Sequence, residues 1–178
     1  PNNEEECQKL LLSTFLEGPA VLCFDNLTTD LLPHKTLCSA LTDERITGRV
    51  LGVSKMATAS TRLLILSSGN NVGPVRDMAR RCVTVLLDPA CETPATRDFK
   101  NDPVRDVEQN RGYYVSLALT IIRAWIVARR PRTTCKSLAS YTDWSELIRQ
   151  PLLWLGLPDP AQSVFESMTV DPDTEQLG

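Results

Sequence analysis

The chain is poor in the residues that build metal centres and aromatic cofactor sites. One histidine, His34, stands alone, and the six cysteines (Cys7, Cys23, Cys38, Cys82, Cys91 and Cys135) include no Cys-x-x-Cys pair, so zinc-type spacing is absent. Aromatic residues make up 6% of the sequence, too few to line a large cofactor box. No apolar run reaches the ~20 residues of a bilayer-spanning helix; the longest, Val115 to Ala128, is interrupted by Arg123. No secretory leader pattern opens the chain. Several cysteines lie inside apolar runs, where a thiol behaves as a small hydrophobe. These features predict buried reduced thiols, no membrane association and a cytoplasmic setting. Finally, none of the eight glycines is followed by lysine, so a phosphate-cradling GxxxxGK[ST] loop is missing.

What is present has the balance of a globular chain. At 178 residues, 42% hydrophobic and 23% charged, it can bury a core and is not disordered throughout. A net charge of -3 conceals a polarity along the sequence. Between Glu44 and Arg81 seven basic residues oppose two acidic ones, a local +5, whereas Pro158 to Gly178 holds five acidic residues and no basic one. The basic stretch is either a solvated face or a local contact for phosphate. The acidic tail lacks the spacing and glycine of a calcium loop.

Periodicity predicts a mixed α/β chain. A helix begins at an Asn2 or Asn3 cap, carries Glu4, Glu5 and Glu6 in its first turn, places Cys7, Leu10, Leu11, Thr14 and Phe15 inward, and ends at Gly18. Ala20 to Phe24 reads as a buried parallel strand ending in Asp25-Asn26. A short helix covers 35–42. Arg49 to Thr58 suits a hairpin or irregular loop, with Gly52 at its turn. Leu63 to Leu66 is a second buried strand ending in Ser67-Ser68-Gly69-Asn70-Asn71. A short helix with Pro74 in its first position closes on Arg80-Arg81, and Cys82 to Leu87 reads as a third strand. A long helix through Val107, Tyr114, Leu117, Ile121 and Trp125 is apolar nearly all round and therefore expected to be buried. Trp125, Trp144 and Trp154 are expected in the core. The expected division is an α/β core over 1–103 and a helical region over 104–178.

Three constellations carry chemistry. Val21-Leu22-Cys23-Phe24-Asp25 has the form of a Walker B strand, which holds a carboxylate beside a magnesium ion neutralising nucleotide phosphates. The second strand ends in amides, Asn70 and Asn71, that could orient an attacking water; Gly-Asn-Asn is equally good turn chemistry. Arg80 and Arg81, at the end of a short helix, could project toward a neighbouring subunit as an arginine finger, or simply complement that helix's negative end.

The succession of acid-tipped strand, Asn-tipped strand, helix and arginine pair resembles the superfamily-3 and related AAA+ P-loop ATPase core, read from Walker B onward. More closely it resembles the helicase-like C-terminal regions of primase-helicase proteins of phages and integrative elements. The residues that carry this are Glu4-Glu5-Glu6, Asp25-Asn26, Ala40-Leu41-Thr42, Arg49-Val50-Leu51-Gly52, Gly69-Asn70-Asn71, Asp77-Met78-Ala79-Arg80-Arg81 and Leu87-Asp88-Pro89, with Trp144, Trp154-Leu155-Gly156 and Asp159-Pro160 near the end. The resemblance implies an ATP-driven DNA helicase or translocase of a mobile element, working as a homo-oligomeric ring with Mg2+ and ATP on single-stranded DNA. Asp25 would bind magnesium, with Asn26 beside the nucleotide. Asn70, or in second place Asn71, would sense the γ-phosphate, and Arg80 or Arg81 would act in trans. The hairpin would present Lys55 and Arg49 to the DNA. Two departures stand out. The missing glycine-lysine loop implies that a P-loop and its helix lie upstream of Pro1 and that the isolated chain is inactive. Asn26 stands where many relatives carry a glutamate, which leaves the base unassigned. The alternative is a non-catalytic ATPase-like module that docks a replication partner; a transcription regulator using Arg45 to Arg62 lacks a helix-turn-helix signal.

Overall fold

The computed structural model describes residues 3–50, 55–93, 98 and 100–170. The chain divides into two units, one running to Thr84 and taking up the last helix from Ser163, the other comprising Val85–Gln162.

The first unit opens with helix α1, Glu4–Glu17. The Asn3 side chain accepts the N–H of Glu6 at 2.9 Å, and Gly18, in a left-handed conformation, donates its N–H to the Phe15 carbonyl. Cys7, Leu11, Leu12 and Phe15 form its buried face. Leu10, expected inward, is exposed, and Leu12 takes that role. Strands β1 (Val21–Leu27) and β4 (Leu64–Gly69) pair in parallel, with Val21 opposite Leu64 and Cys23 opposite Leu66. Between them lie helix α2 (Lys35–Ala40) and the antiparallel hairpin of β2 (Arg45–Arg49) and β3 (Met56–Ser60). The hairpin expected from Arg49 onward therefore exists and starts four residues earlier, at Arg45; Gly52 lies outside the described residues. A 3-10 helix, Arg76–Arg81, follows. Pro74 does not begin it: Pro74 forms an isolated parallel bridge with Leu31, which prolongs the β1–β4 pairing past the strand ends.

Residues of α1, α2, the hairpin and Met78 make one apolar cluster, against which Leu22, Phe24 and Ile65 pack from one face of the parallel pair. On the opposite face, Val21, Leu64 and Leu66 are 46%, 55% and 48% exposed. The strands expected to be buried are therefore covered on one side only among the described residues, although parallel sheets are normally covered on both. Cys82 to Leu87 joins no ladder, and Leu86 is 91% exposed. An apolar β-rich run becomes a strand only where a neighbour offers its backbone edge, and none of the described residues does so here.

The second unit is helical. The expected long helix is two: α3, Pro103–Gln109, capped by the Asp102 side chain, and α4, Arg111–Val127, separated at Asn110. Of α4 only Trp125 is buried. Apolarity on every side of a helix expresses a demand for cover, and the described residues of this unit meet it only around Trp125. Helix α5 (Thr142–Trp144), a π-helical turn (Ser145–Arg149) and α6 (Gln150–Trp154) run end to end. Pro151, which has no N–H to give, sits just past the wide turn. Arg149 is fully buried and held by Asp159, with Nε–Oδ1 and Nη2–Oδ2 distances of 2.7 and 2.6 Å. Helix α7, Gln162–Val170, returns to the first unit, where Ser163 Oγ accepts the N–H of Thr84 at 3.0 Å. All six cysteines are free; Cys7 is buried and Cys23 and Cys91 are exposed.

Candidate functional site

Parallel pairing decides which ends of two strands share a rim. Because Phe24 lies opposite Ser67 and Leu27 opposite Gly69, Asp25 and Asn26 come level with Ser68, and Asn70 and Asn71 follow directly. Such carboxyl edges are where open α/β sheets take ligands. The hydroxyl of Ser68 donates to Asp25 Oδ1 and accepts the N–H of Asn26 at 3.2 Å, clamping the acid-bearing tip to the neighbouring strand. Asn26 and Asn71 both adopt left-handed backbone, φ 54 and 55, a conformation asparagine tolerates better than most residues. Gly69 is required where β4 passes the end of β1: a Cβ there would stand 2.7 Å from the Leu27 carbonyl oxygen. Past the tips, the Asp30 carboxylate accepts the Gly73 N–H at 3.0 Å, and Leu31 donates its N–H to the Gly73 carbonyl at 2.9 Å. Both loops leave the rim tied to each other.

Asp25, Asn26, Ser68, Asn70 and Asn71 are all exposed. Asp25 points to the same face as Val21, Cys23, Leu64 and Leu66, since side chains alternate along a strand. The carboxylate therefore crowns the uncovered apolar face. Ser68 is the member that sequence reading missed. Its signal was the doubled serine before Gly69, which acquires meaning only from the register.

The arginine pair is arranged differently from two outward-facing cations. Asp77 takes Arg80 Nε at 2.5 Å and Arg81 Nε at 3.0 Å, and Arg81 Nη1 also donates to the Cys38 carbonyl of α2 at 3.2 Å. The Arg81 side chain is only 9% exposed, against 38% for Arg80. Arg81 thus fastens the 3-10 helix to α2, and Arg80 is the one that reaches solvent. Partial burial opposes the charge on Asp77, but the hydrogen bonds from Arg80 and then Arg81 outweigh it and hold this carboxyl below its ordinary value. The spacings Asp77–Arg80 and Asp77–Arg81, three and four residues, were legible in the sequence.

The three leading acids are not equivalent. Glu4 accepts the Lys35 and Thr36 N–H groups at 2.7 and 2.9 Å and the Thr36 hydroxyl at 2.8 Å, so it caps α2 from another helix. Glu5 and Glu6 pair with Lys9 at 2.7 and 3.2 Å on the surface of α1. Arg49 is exposed and sits opposite Met56 at the last pair of the hairpin; Lys55 is exposed, and its carbonyl accepts the Val50 N–H at 2.9 Å. The hairpin and the rim belong to separate sheets. Burial pushes the Cys7 and Cys82 thiols up to about 11, which makes these two poor nucleophiles.

A single carboxylate with a hydroxyl beside it suits magnesium held mainly by phosphates and water. Among the described residues no three His, Cys, Asp or Glu side chains gather to hold a metal by themselves. The sequence holds no GxxxxGK[ST] loop of the kind that grips a triphosphate. Among the described residues, no helix is long and apolar enough to cross a membrane. Comparison with protein-family models, with curated proteins and with solved structures returns no match for this chain.

Proposed function

We propose that this chain forms part of the ATPase core of a nucleic-acid motor, the C-terminal portion of an ATP-dependent DNA helicase or translocase of a mobile element. The observation that carries the reading is that Asp25 stands at the same rim of a parallel strand pair as Asn70 and Asn71, with Ser68 bonded to the acid. Magnesium, when bound, would neutralise phosphate charge at this rim. Asp25 supplies the carboxylate for it, Asn70 an amide able to orient water, and Arg80 a guanidinium able to reach a neighbouring subunit's nucleotide. Lys55 and Arg49 present positive charge to the strand being moved. The exposure of Val21, Leu64 and Leu66 beneath Asp25 among the described residues supports the same reading, because parallel sheets are normally covered on both faces. An arginine supplied in trans implies head-to-tail contacts that close into a ring.

The test uses the whole product of the gene. It should hydrolyse ATP faster with single-stranded DNA, and Arg80→Ala combined with Arg81→Ala should abolish that activity. Since Arg81 also braces α2, Arg80→Ala alone is the decisive variant. Turnover at the unaltered rate would remove the finger assignment. A second reading, a non-catalytic module that docks a replication partner, is favoured by the missing glycine-lysine loop and by Asn26 in the position after the acid. It requires that the whole product bind no ATP.

A further inference from the structure

Between Arg111 and Thr142 the sequence carries six basic residues and no acidic one. Four of them gather at one end of α4: Arg123 in its last turns, Arg129 and Arg130 just past Val127, and Arg132; all four are exposed. The backbone there is unusual. Arg129 and Arg130 both take left-handed conformations, φ 65 and 53, where a helix normally ends on glycine or asparagine and where other residues pay for the crowding of Cβ against the carbonyl.

The turn is nevertheless fixed. Arg129 and Arg130 donate their N–H groups to the carbonyls of Ile126 and Trp125 at 3.0 and 2.9 Å, and the indole of fully buried Trp125 donates to the Pro131 carbonyl at 2.9 Å. The Arg130 guanidinium lies 6.0 Å from the Trp125 ring centroid. Arg132 is paired with Glu146, which leaves Arg123, Arg129 and Arg130 as the leading cations. Favourable charge at a helix C-terminus accounts for a basic residue nearby. It does not account for arginines at both strained positions, where glycine followed by one cation would serve the helix better. Strain of this kind collects where a site displays groups for use.

We propose that this turn is a phosphate-binding surface for the backbone of single-stranded nucleic acid. The choice of nucleic acid over an acidic protein rests on the motor reading above and on two features of the helix itself. The leading cations are all arginine, whose planar fork suits phosphate oxygens. At the other end of α4, beside Arg111, Tyr113 and Tyr114 are 62% and 44% exposed, offering faces on which bases stack.

The experiment measures binding of the 178-residue chain to fluorescein-labelled oligo-dT by anisotropy across a salt series, beside polyglutamate as competitor. Arg129→Gly with Arg130→Gly should weaken binding roughly tenfold and lower the salt slope by about 1.4, two phosphate contacts at ~0.7 each. The same variant should melt no lower than the parent by tryptophan fluorescence, since glycine relieves the backbone. A companion variant, Arg49→Gln with Lys55→Gln, separates the two claims. Loss confined to the hairpin variant overturns the inference and leaves the motor reading intact; loss confined to the glycine variant supports the inference and counts against the hairpin. A parent chain that binds no oligo-dT, or whose oligo-dT is displaced by polyglutamate at matched charge, overturns it.

Discussion

Removing Asp159 tests whether the helical unit is organised around Arg149, the one buried cation among its described residues. The Arg149 side chain is 1% exposed, and its guanidinium bonds twice to Asp159, to the Lys136 carbonyl at 2.7 Å and, at the longer distance of 3.4 Å, to Ser145 Oγ. Asp159→Ala deletes both carboxylate bonds and strands a desolvated charge, which costs ~3–5 kcal/mol in comparable buried pairs. Asp159 is itself 23% exposed, so water can reach part of the gap, and the expected loss is about 3 kcal/mol. The double variant Arg149→Met with Asp159→Leu removes charge and demand together and should fall within ~1 kcal/mol of the parent. Urea unfolding followed by tryptophan fluorescence reads this unit alone, because Trp125, Trp144 and Trp154 all lie within Val85–Gln162. Acid adds a second arm. The bonds from Arg149 hold the Asp159 carboxyl below its ordinary value against the opposing effect of burial. Its contribution is therefore whole above ~pH 4 and is lost as pH falls through the lowered value, so Asp159→Ala should flatten the acid limb of the stability curve. A loss under ~1 kcal/mol in Asp159→Ala, or a double variant no better than the single, refutes the reasoning.

Two further outcomes concern the first unit. Glu4→Ala should destabilise it by about 1 kcal/mol, the worth of a helix cap. Burial works against the Glu4 charge, but the Thr36 and Lys35 bonds and nearby His34 prevail and hold its carboxyl below the ordinary value, so the parent's advantage over Glu4→Ala should vanish as pH drops below ~4.3; an advantage that persists at pH 2 in urea titrations by circular dichroism contradicts the cap. Gly69→Ala drives a methyl toward the Leu27 carbonyl and should cost ~1–3 kcal/mol, seen as a lower melting midpoint by circular dichroism; an unchanged midpoint means the rim is looser than described.

Much of this protein was written in local sequence. The Asn3 cap, the Gly18 stop, the strand segments tipped by Asp25 and by Ser68-Gly69-Asn70, and the Asp77–Arg80–Arg81 spacing all follow from propensity and short-range pattern, because each is decided by neighbours within a few residues. Pairing was not. That Ser68 grips Asp25 and Asn26 depends on a register between strands some forty residues apart, and that Glu4 caps α2 depends on two helices meeting. Burial was the least legible property. Cys82 to Leu87 and α4 are as apolar as any core segment, yet among the described residues one stays out of the ladders and the other is covered only around Trp125. Apolarity fixes how much surface a segment needs to hide; only the tertiary arrangement decides which surfaces find a partner, and among the described residues the faces left without one are those around Asp25 and along α4.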